Sequence, residues 1–252
     1  MKQSVSRLVE SIDSMHGKGS IMVLGSHDLP EERGQVISTG SEALNTALGI
    51  GGYPKGRIVE LFGPEGCGSS ALALQAVAEA QKAGGVVAII DTEHAFDAAA
   101  AVALGIDTEK LLVSQPDSAE QALEIIEMLA KSGAVDLVVV DSVSAMTPRA
   151  ALDYADTLDE HIGLMARLMS QGLRVLAGAA HRTGTTILFL NRLLPLRGFP
   201  TSTAGNALKF YASVRLDVRS DGPKMTVKVI KNKCAVPFKS AELTRGEDGR
   251  FS

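Results

Sequence analysis

An α/β fold with a mostly parallel sheet and helices on both faces is predicted by three observations. From Arg57 to Asn191, short strand-type runs alternate with helical patterns. A glycine-rich stretch joins the first of these strands to the first long helix. After Ala212 the pattern changes to strict apolar and polar alternation, as in Val214-Arg215-Leu216-Asp217-Val218. Antiparallel strands added at one edge of the sheet follow from that change.

Taken in order, residues 3 to 14 carry Val5, Leu8, Val9 and Ile12 at helical spacing, and Gly17-Lys18-Gly19 ends the helix. Ser20 to Leu24 and Val36 to Ser38 are strand-like. Ser41 is placed to cap a helix over Glu42 to Leu48 that stops at Gly49. Strand Ile58 to Phe62 then leads into a helix from about 69 to 83. Strand Val86 to Asp91, a helix from about 97 to 104 and strand Leu111 to Ser114 come next. A helix over 118 to 131 opens with a capping box of Ser118 and Gln121. Strand Val135 to Asp141, a long helix from about Asp159 to Ala180 and strand Thr185 to Asn191 complete the parallel part. The hairpin Val214–Val218 and Met225–Val229 turns through Ser220-Asp221-Gly222-Pro223.

Composition narrows the function classes. The 252 residues carry 25 Lys plus Arg against 29 Asp plus Glu, a formal net charge of −4, with 45% hydrophobic residues. That is the make-up of a folded globular chain, and it argues against coating nucleic acid by bulk charge. Apolar runs such as Val86 to Ile90 are far shorter than the roughly 20 residues of a membrane span, so no membrane role is expected. The N-terminus has no unbroken apolar leader, and Cys67 and Cys234 have no metal-like spacing. A reduced cytoplasmic compartment is expected.

The chemistry concentrates in Gly63-Pro64-Glu65-Gly66-Cys67-Gly68-Ser69-Ser70. A strand, a glycine loop and a helix in this order let backbone N–H groups and a helix N-terminus converge on phosphate, or else remain as inherited scaffold that shapes the strand-to-helix turn and no longer holds nucleotide. The phosphate-loop pattern asks for lysine after Gly68, and Ser69 stands there. A hydrogen bond to a charged group contributes about 1.5–3 kcal/mol, so the change weakens nucleotide binding roughly tenfold to a hundredfold. Hydrolysis should suffer more, because the lysine meets charge that grows in the transition state. Ser70 remains as a hydroxyl ligand for Mg²⁺, and Asp141 closes an apolar strand where a carboxylate holds Mg²⁺ through water. Glu93, two residues past Asp91, is placed to act as general base on water, although Glu93 and His94 could equally serve only to bond the turn.

These residues are part of a longer resemblance. Gly17 to Met22, Gly56 to Glu60, Asp91-Thr92-Glu93-His94-Ala95, Ser114-Gln115-Pro116-Asp117, Val138 to Pro148, Met169-Ser170-Gln171 and Gly205 to Asp217 resemble bacterial RecA recombinases, collinearly through nearly the whole chain. The resemblance implies an N-terminal helix and strand over 1–33, an oligomerisation arm that docks on a neighbouring subunit, and a RecA-like ATPase core over 34–252. It also implies that the family's C-terminal domain is absent.

The departures from the family are informative. Ser69 stands in the place of the loop lysine, Ala100 in that of an adenine-stacking tyrosine, and Arg192 in that of a glutamine that senses the γ-phosphate. The second DNA loop, about Leu193 to Ala204, is short and apolar in its first half. The resemblance makes Arg167, Arg174, Arg197, Thr201, Ser202, Thr203 and Gly205 the DNA-binding candidates, though Arg167 and Arg174 would also suit a solvated helix face. Lys231, Lys233 and Phe210 match residues that RecA presents across the subunit interface, though Lys231 and Lys233 would also suit an edge strand that discourages aggregation.

Together these imply a protein that meets RecA and single-stranded DNA, self-associates, and handles ATP and Mg²⁺ weakly or without requiring them. By its short core and spoiled loop it is similar to the ImuA class, which works beside a polymerase-homologue subunit and an error-prone translesion polymerase. The function expected is modulation, chiefly inhibition, of RecA filaments in DNA repair and damage tolerance, in the nucleoid. A minimal DNA-dependent ATPase with a non-standard loop is the other reading.

Overall fold

The computed structural model describes residues 3–18, 20–21, 36–154, 158–196, 199–202, 205–246 and 248–252. Two units are distinct, Met1–Gln35 and Val36–Ser252. In the first, α1 (Gln3–His16) is an amphipathic helix. Gly17 follows it at φ +101°, its N–H donating to the Asp13 carbonyl at 2.9 Å. Of the strand expected over Ser20 to Leu24, Ser20 and Ile21 form a bend, and Met22 to Leu24 lie outside the described residues.

The second unit begins with β1 (Val36–Ile37), α2 (Glu42–Leu48), β2 (Tyr53–Pro54), β3 (Ile58–Gly63) and α3 (Ser69–Lys82). It continues through β4 (Val87–Asp91), α4 (Ala98–Ala103), β5 (Leu111–Ser114), α5 (Ala119–Ser132) and β6 (Leu137–Asp141). Then follow α6 (Arg149–Tyr154), α7 (Leu158–Thr183), β7 (Thr186–Leu196), β8 (Phe199–Ser202), α8 (Ala207–Tyr211), β9 (Val214–Asp221), β10 (Lys224–Asn232) and β11 (Ser240–Thr244).

The main sheet runs β11-β10-β9-β3-β7-β6-β4-β5, with β8 pairing off β7. From β9 to β5 every neighbouring pair is parallel, and β10 and β11 are antiparallel additions. The hairpin expected at the edge is thus only half antiparallel to the core, because β9 itself lies parallel to β3. Its turn is tighter than expected: Lys224 pairs with Asp221 across Gly222-Pro223, with Gly222 at φ +61°.

Burial on both faces explains the apolar strands. Val59 and Leu61 of β3 face a core with α2 and α3, whereas Ile58 of β3 and Ile187 and Phe189 of β7 face a core with α5, α7 and α8. The caps follow the sequence. Ser41 Oγ accepts from the Leu44 N–H, and Ser118 Oγ from the Gln121 N–H. The capping box is offset by one residue, since Gln121 Oε1 accepts from the N–H of Asp117 at 2.8 Å.

Three departures matter for function. The second DNA loop, expected as a loop from Leu193, begins as strand: β7 continues to Leu196 and pairs antiparallel with β8 in the register Leu193↔Ser202 to Leu196↔Phe199. Its leucines suit a strand better than a turn. Second, a short helix, α6, stands before the long α7, where the sequence pattern gave none, with 155–157 outside the described residues. Third, residues past Phe238 add β11, an Arg245↔Phe251 bridge and a tie to α3. Gln75 of α3 donates from Nε2 to the Phe251 carbonyl at 3.0 Å and accepts the Phe251 N–H on Oε1 at 2.8 Å, across 176 residues.

Candidate functional site

The site is built where β3 ends. Gly63 closes β3, and Gly66 and Gly68 take φ of +72° and +86° in the loop before α3. Gly63 has no room for a side chain, because a Cβ there would stand 2.2 Å from the Val218 carbonyl oxygen. At Gly68 a Cβ would stand 2.4 Å from Met225 Cε. Cys67 is buried below the loop, its N–H on the Pro64 carbonyl at 3.2 Å. Ser69 and Ser70 are the first residues of α3, where free N–H groups and the helix dipole favour an anion.

Carboxylates gather beside this loop. Asp91 ends β4 and Asp141 ends β6, paired in register across the parallel ladder. A cavity of about 220 Å³ is lined by Ser70, Asp91, Glu93, Phe96, Asp97 and Asp141, among others. Burial pushes the Asp141 carboxyl above its ordinary range; a hydrogen bond from Ser70 opposes this, and the charges of Glu93 and Asp91 reinforce it against Arg192. A carboxylate so placed beside a serine hydroxyl is short of a cation, and the donor set suits a hard ion held by few protein ligands. Ser70 and Asp141 fit Mg²⁺ on that ground.

Asp91 behaves oppositely. Burial alone would raise it, yet it lies below the usual carboxylate range because Gln115 Nε2, at 2.9 Å, and the N–H groups of Ala95 and Phe96 donate to it, with His94 adding favourable charge. Its three donors make it the bracket of the turn that carries Glu93.

Glu93 stands between two cavities. The second, about 650 Å³, is lined by Glu65, Thr92, Glu93, Ser144, Arg192 and Leu193, among others. Ser142 Oγ donates to Glu93 Oε1 at 2.6 Å, and Arg192 Nη2 pairs with Glu93 Oε2. Ser142 and Ser144 hydroxyls lie 3.0 Å apart, and the Arg192 N–H donates to Ser144 Oγ at 3.1 Å. Arg192 is the register partner of Gly63 on the adjacent strand, so its guanidinium rises beside the loop. Glu65 lies farther off, 3.8 Å from Nη1. Sequence reasoning missed Ser142, Ser144, Gln115 and Glu65 as partners. The first three fall in stretches that carry the family resemblance, Val138 to Pro148 and Ser114 to Asp117.

The remaining candidates lie elsewhere. Ala100 is half-buried in α4, which Asp97 caps by accepting from the N–H groups of Ala99 and Ala100. Arg167 and Arg174 are exposed on α7. Gly205, at φ +60°, approaches Ala166 of α7, where a Cβ would stand 2.9 Å away. Thr201 and Ser202 belong to β8, and Arg197 and Thr203 lie outside the described residues. Phe210 is 73% exposed and meets Tyr211 edge to face. Lys231 turns onto its own chain, with Nζ donating to the carbonyls of Lys209 at 2.7 Å and Phe210 at 3.0 Å, at the end of α8. Burial and then the charges of Lys233 and Arg215 lower its pKa. Lys233 is exposed.

One buried network supports the floor of the site. Glu60, 1% exposed in the middle of β3, accepts from Asn191 Nδ2 at 2.8 Å and pairs with its register partner Arg215, whose guanidinium lies 4.5 Å above the Phe62 ring. Among the described residues no helix is long and apolar enough to cross a membrane.

A parallel α/β core with a glycine loop between β3 and α3, and carboxylates at the ends of β4 and β6, defines a protein of the phosphate-loop class. Within that class the chain belongs to the RecA family: residues 3–245 match the RecA N-terminal domain. It is 52% identical to Protein RecA of Campylobacter hominis over 96% of this chain and 73% of that protein. Protein RecA of Bacteroides thetaiotaomicron is 51% identical over 96% of this chain and 77% of its own length, and that of Wolinella succinogenes 50% over 96% and 73%.

Proposed function

We propose that this RecA-family protein has impaired ATP turnover and acts on RecA filaments, chiefly by inhibiting them, in DNA repair and damage tolerance. The observation that carries the reading is Ser69. It opens α3 with a hydroxyl where a phosphate-loop protein needs a cation, beside a cavity whose charged lining residues are the carboxylates Asp91, Glu93, Asp97 and Asp141. Such a loop still offers backbone N–H groups to phosphate but lacks the charge that would offset those acids. ATP and Mg²⁺, with Ser70 and Asp141 as the metal's protein ligands, bind weakly on this account. Exposed Phe210 and Lys233 and the exposed arginines of α7 support contact with RecA, with a further copy of the chain and with single-stranded DNA. Service to a translesion polymerase or its homologue, as in the ImuA class, extends the same reading, and a cytoplasmic, nucleoid-associated location goes with it.

The test is RecA's ATP hydrolysis and strand exchange on single-stranded DNA, titrated with this protein beside a control of this protein alone. Suppression of RecA with a silent control is expected. Robust hydrolysis in the control would overturn the reading.

A second reading is favoured by the 50–52% identity to proteins named RecA. Glu93, Ser70 and Asp141 stand together here as an ATPase would need, and the chain would then be a minimal DNA-dependent ATPase whose missing lysine is replaced by another cation.

A further inference from the structure

Glu93 is the residue placed to activate water, and both of its carboxylate oxygens are already engaged by side chains. Oε1 takes the Ser142 hydroxyl and Oε2 takes the Arg192 guanidinium. The Glu93 side chain is 20% exposed and that of Arg192 40%, so the pair is partly shielded, whereas Glu65 is 86% exposed at 3.8 Å and competes poorly for the guanidinium. Arg192 is itself fixed: it lies within β7, in register with Gly63, and its N–H is held by Ser144. A general base works only when its free oxygen lies within hydrogen-bond reach of the attacking water. Here a water approaching Glu93 meets oxygens that each already accept a donor, and the charged one both fixes the carboxylate and draws off the basicity that proton transfer needs.

We propose that Arg192 is a positioning residue that locks Glu93 in an idle state, so that ATP turnover is disabled a second time, independently of Ser69. This rests on the reading that turnover is impaired, and it deepens it. The lock makes a distinct kinetic claim: freeing Glu93 raises kcat and leaves nucleotide affinity alone, because Glu93 is held from water and not from phosphate. A guanidinium that instead served as the substitute phosphate cation would do the reverse.

The experiment compares Ser69→Lys, Arg192→Gln and the double variant in single-stranded-DNA-dependent ATP hydrolysis, with a fluorescent ATP analogue reporting affinity. Glutamine keeps an amide donor on a side chain two atoms shorter and drops the charge. Ser69→Lys alone should tighten nucleotide binding with limited turnover. Adding Arg192→Gln should raise kcat about tenfold or more, a part of the roughly 10²–10⁴-fold that base catalysis contributes, with KM and analogue affinity unchanged. Ser69→Lys combined with Arg192→Lys, which keeps the charge, should stay at the slower rate. Thermal unfolding of each variant shows that it is folded, and Arg192→Ala, which removes the charge by truncation, takes the place of the glutamine variant if that one is not. A double variant no faster than Ser69→Lys, or one that loses affinity, overturns the lock. Fast hydrolysis by the unaltered protein overturns the underlying reading instead, so the two failures are told apart by the control.

Discussion

Gly63 and Val218 approach so closely that the β9 carbonyl occupies the space of any side chain on the last residue of β3, 2.2 Å from an ideal Cβ. The contact is backbone on backbone, and neither partner can swing aside. Gly63→Ala is therefore expected to destabilise the core by about 3 kcal/mol or more. Gly66 makes the comparison, since it has φ +72° and nothing within 4 Å of a Cβ. Gly66→Ala should carry only the left-handed strain of about 1–2 kcal/mol. Urea unfolding of the two variants separates the causes, and equal losses would refute the clash.

The Glu60 and Arg215 pair is buried, at 1% and 12% side-chain exposure. Arg215→Leu strands a carboxylate in the middle of the sheet and should cost about 3–5 kcal/mol. Adding Glu60→Gln removes the stranded charge and should recover part of that. Additive losses in the double variant would show that the two residues act separately.

Asp91 gives a pH signature. Its carboxyl lies below the usual range because Gln115 and two backbone N–H groups hold the charged form despite burial. The native state thus binds that proton less readily than the unfolded chain, and the contribution is complete above an unfolded value of about 3.9. It should disappear as pH falls through the lower folded value. Chemical unfolding should find Asp91→Asn less stable than the unaltered protein at pH 7, with the gap closing at acid pH. A gap that widens toward acid would contradict the assignment.

Lys231 and Lys233 should part company. Lys231→Met loses two hydrogen bonds to the last turn of α8, and about 1 kcal/mol of stability is expected to go with them. Lys233→Met, at an exposed position, should lie within about 0.5 kcal/mol of the unaltered protein. Loss of action on RecA from Lys233→Met at unchanged melting temperature would mark a surface that meets a partner. Retained action would remove Lys233 from that surface.

Much of this was legible in the residues. The β3, glycine loop and α3 succession follows from local pattern, as do the Ser41 and Ser118 caps and β5, whose bounds match Leu111 to Ser114. What was not legible depends on distant partners. Glu60 sits in a strand that reads as apolar, and only Asn191 and Arg215, 131 and 155 residues away, explain its burial. The grip on Glu93 comes from Ser142 and Arg192, 49 and 99 residues on. The β8 pairing was hidden because Phe199-Pro200-Thr201-Ser202 is a short, proline-bearing run that becomes a strand only beside β7.

The tie between Gln75 and Phe251 bears on how the protein is made. A ribosome working at about 5–20 residues per second releases Phe251 roughly 10–35 s after Gln75. For that interval the helix behind the glycine loop lacks the partner that satisfies its buried amide, and Gly68 lacks the Phe251 ring that lies 3.4 Å from where its Cβ would be. The glycine loop is laid down well before the segment that backs it, so a nascent chain carries the candidate site unfinished until Phe251 has emerged.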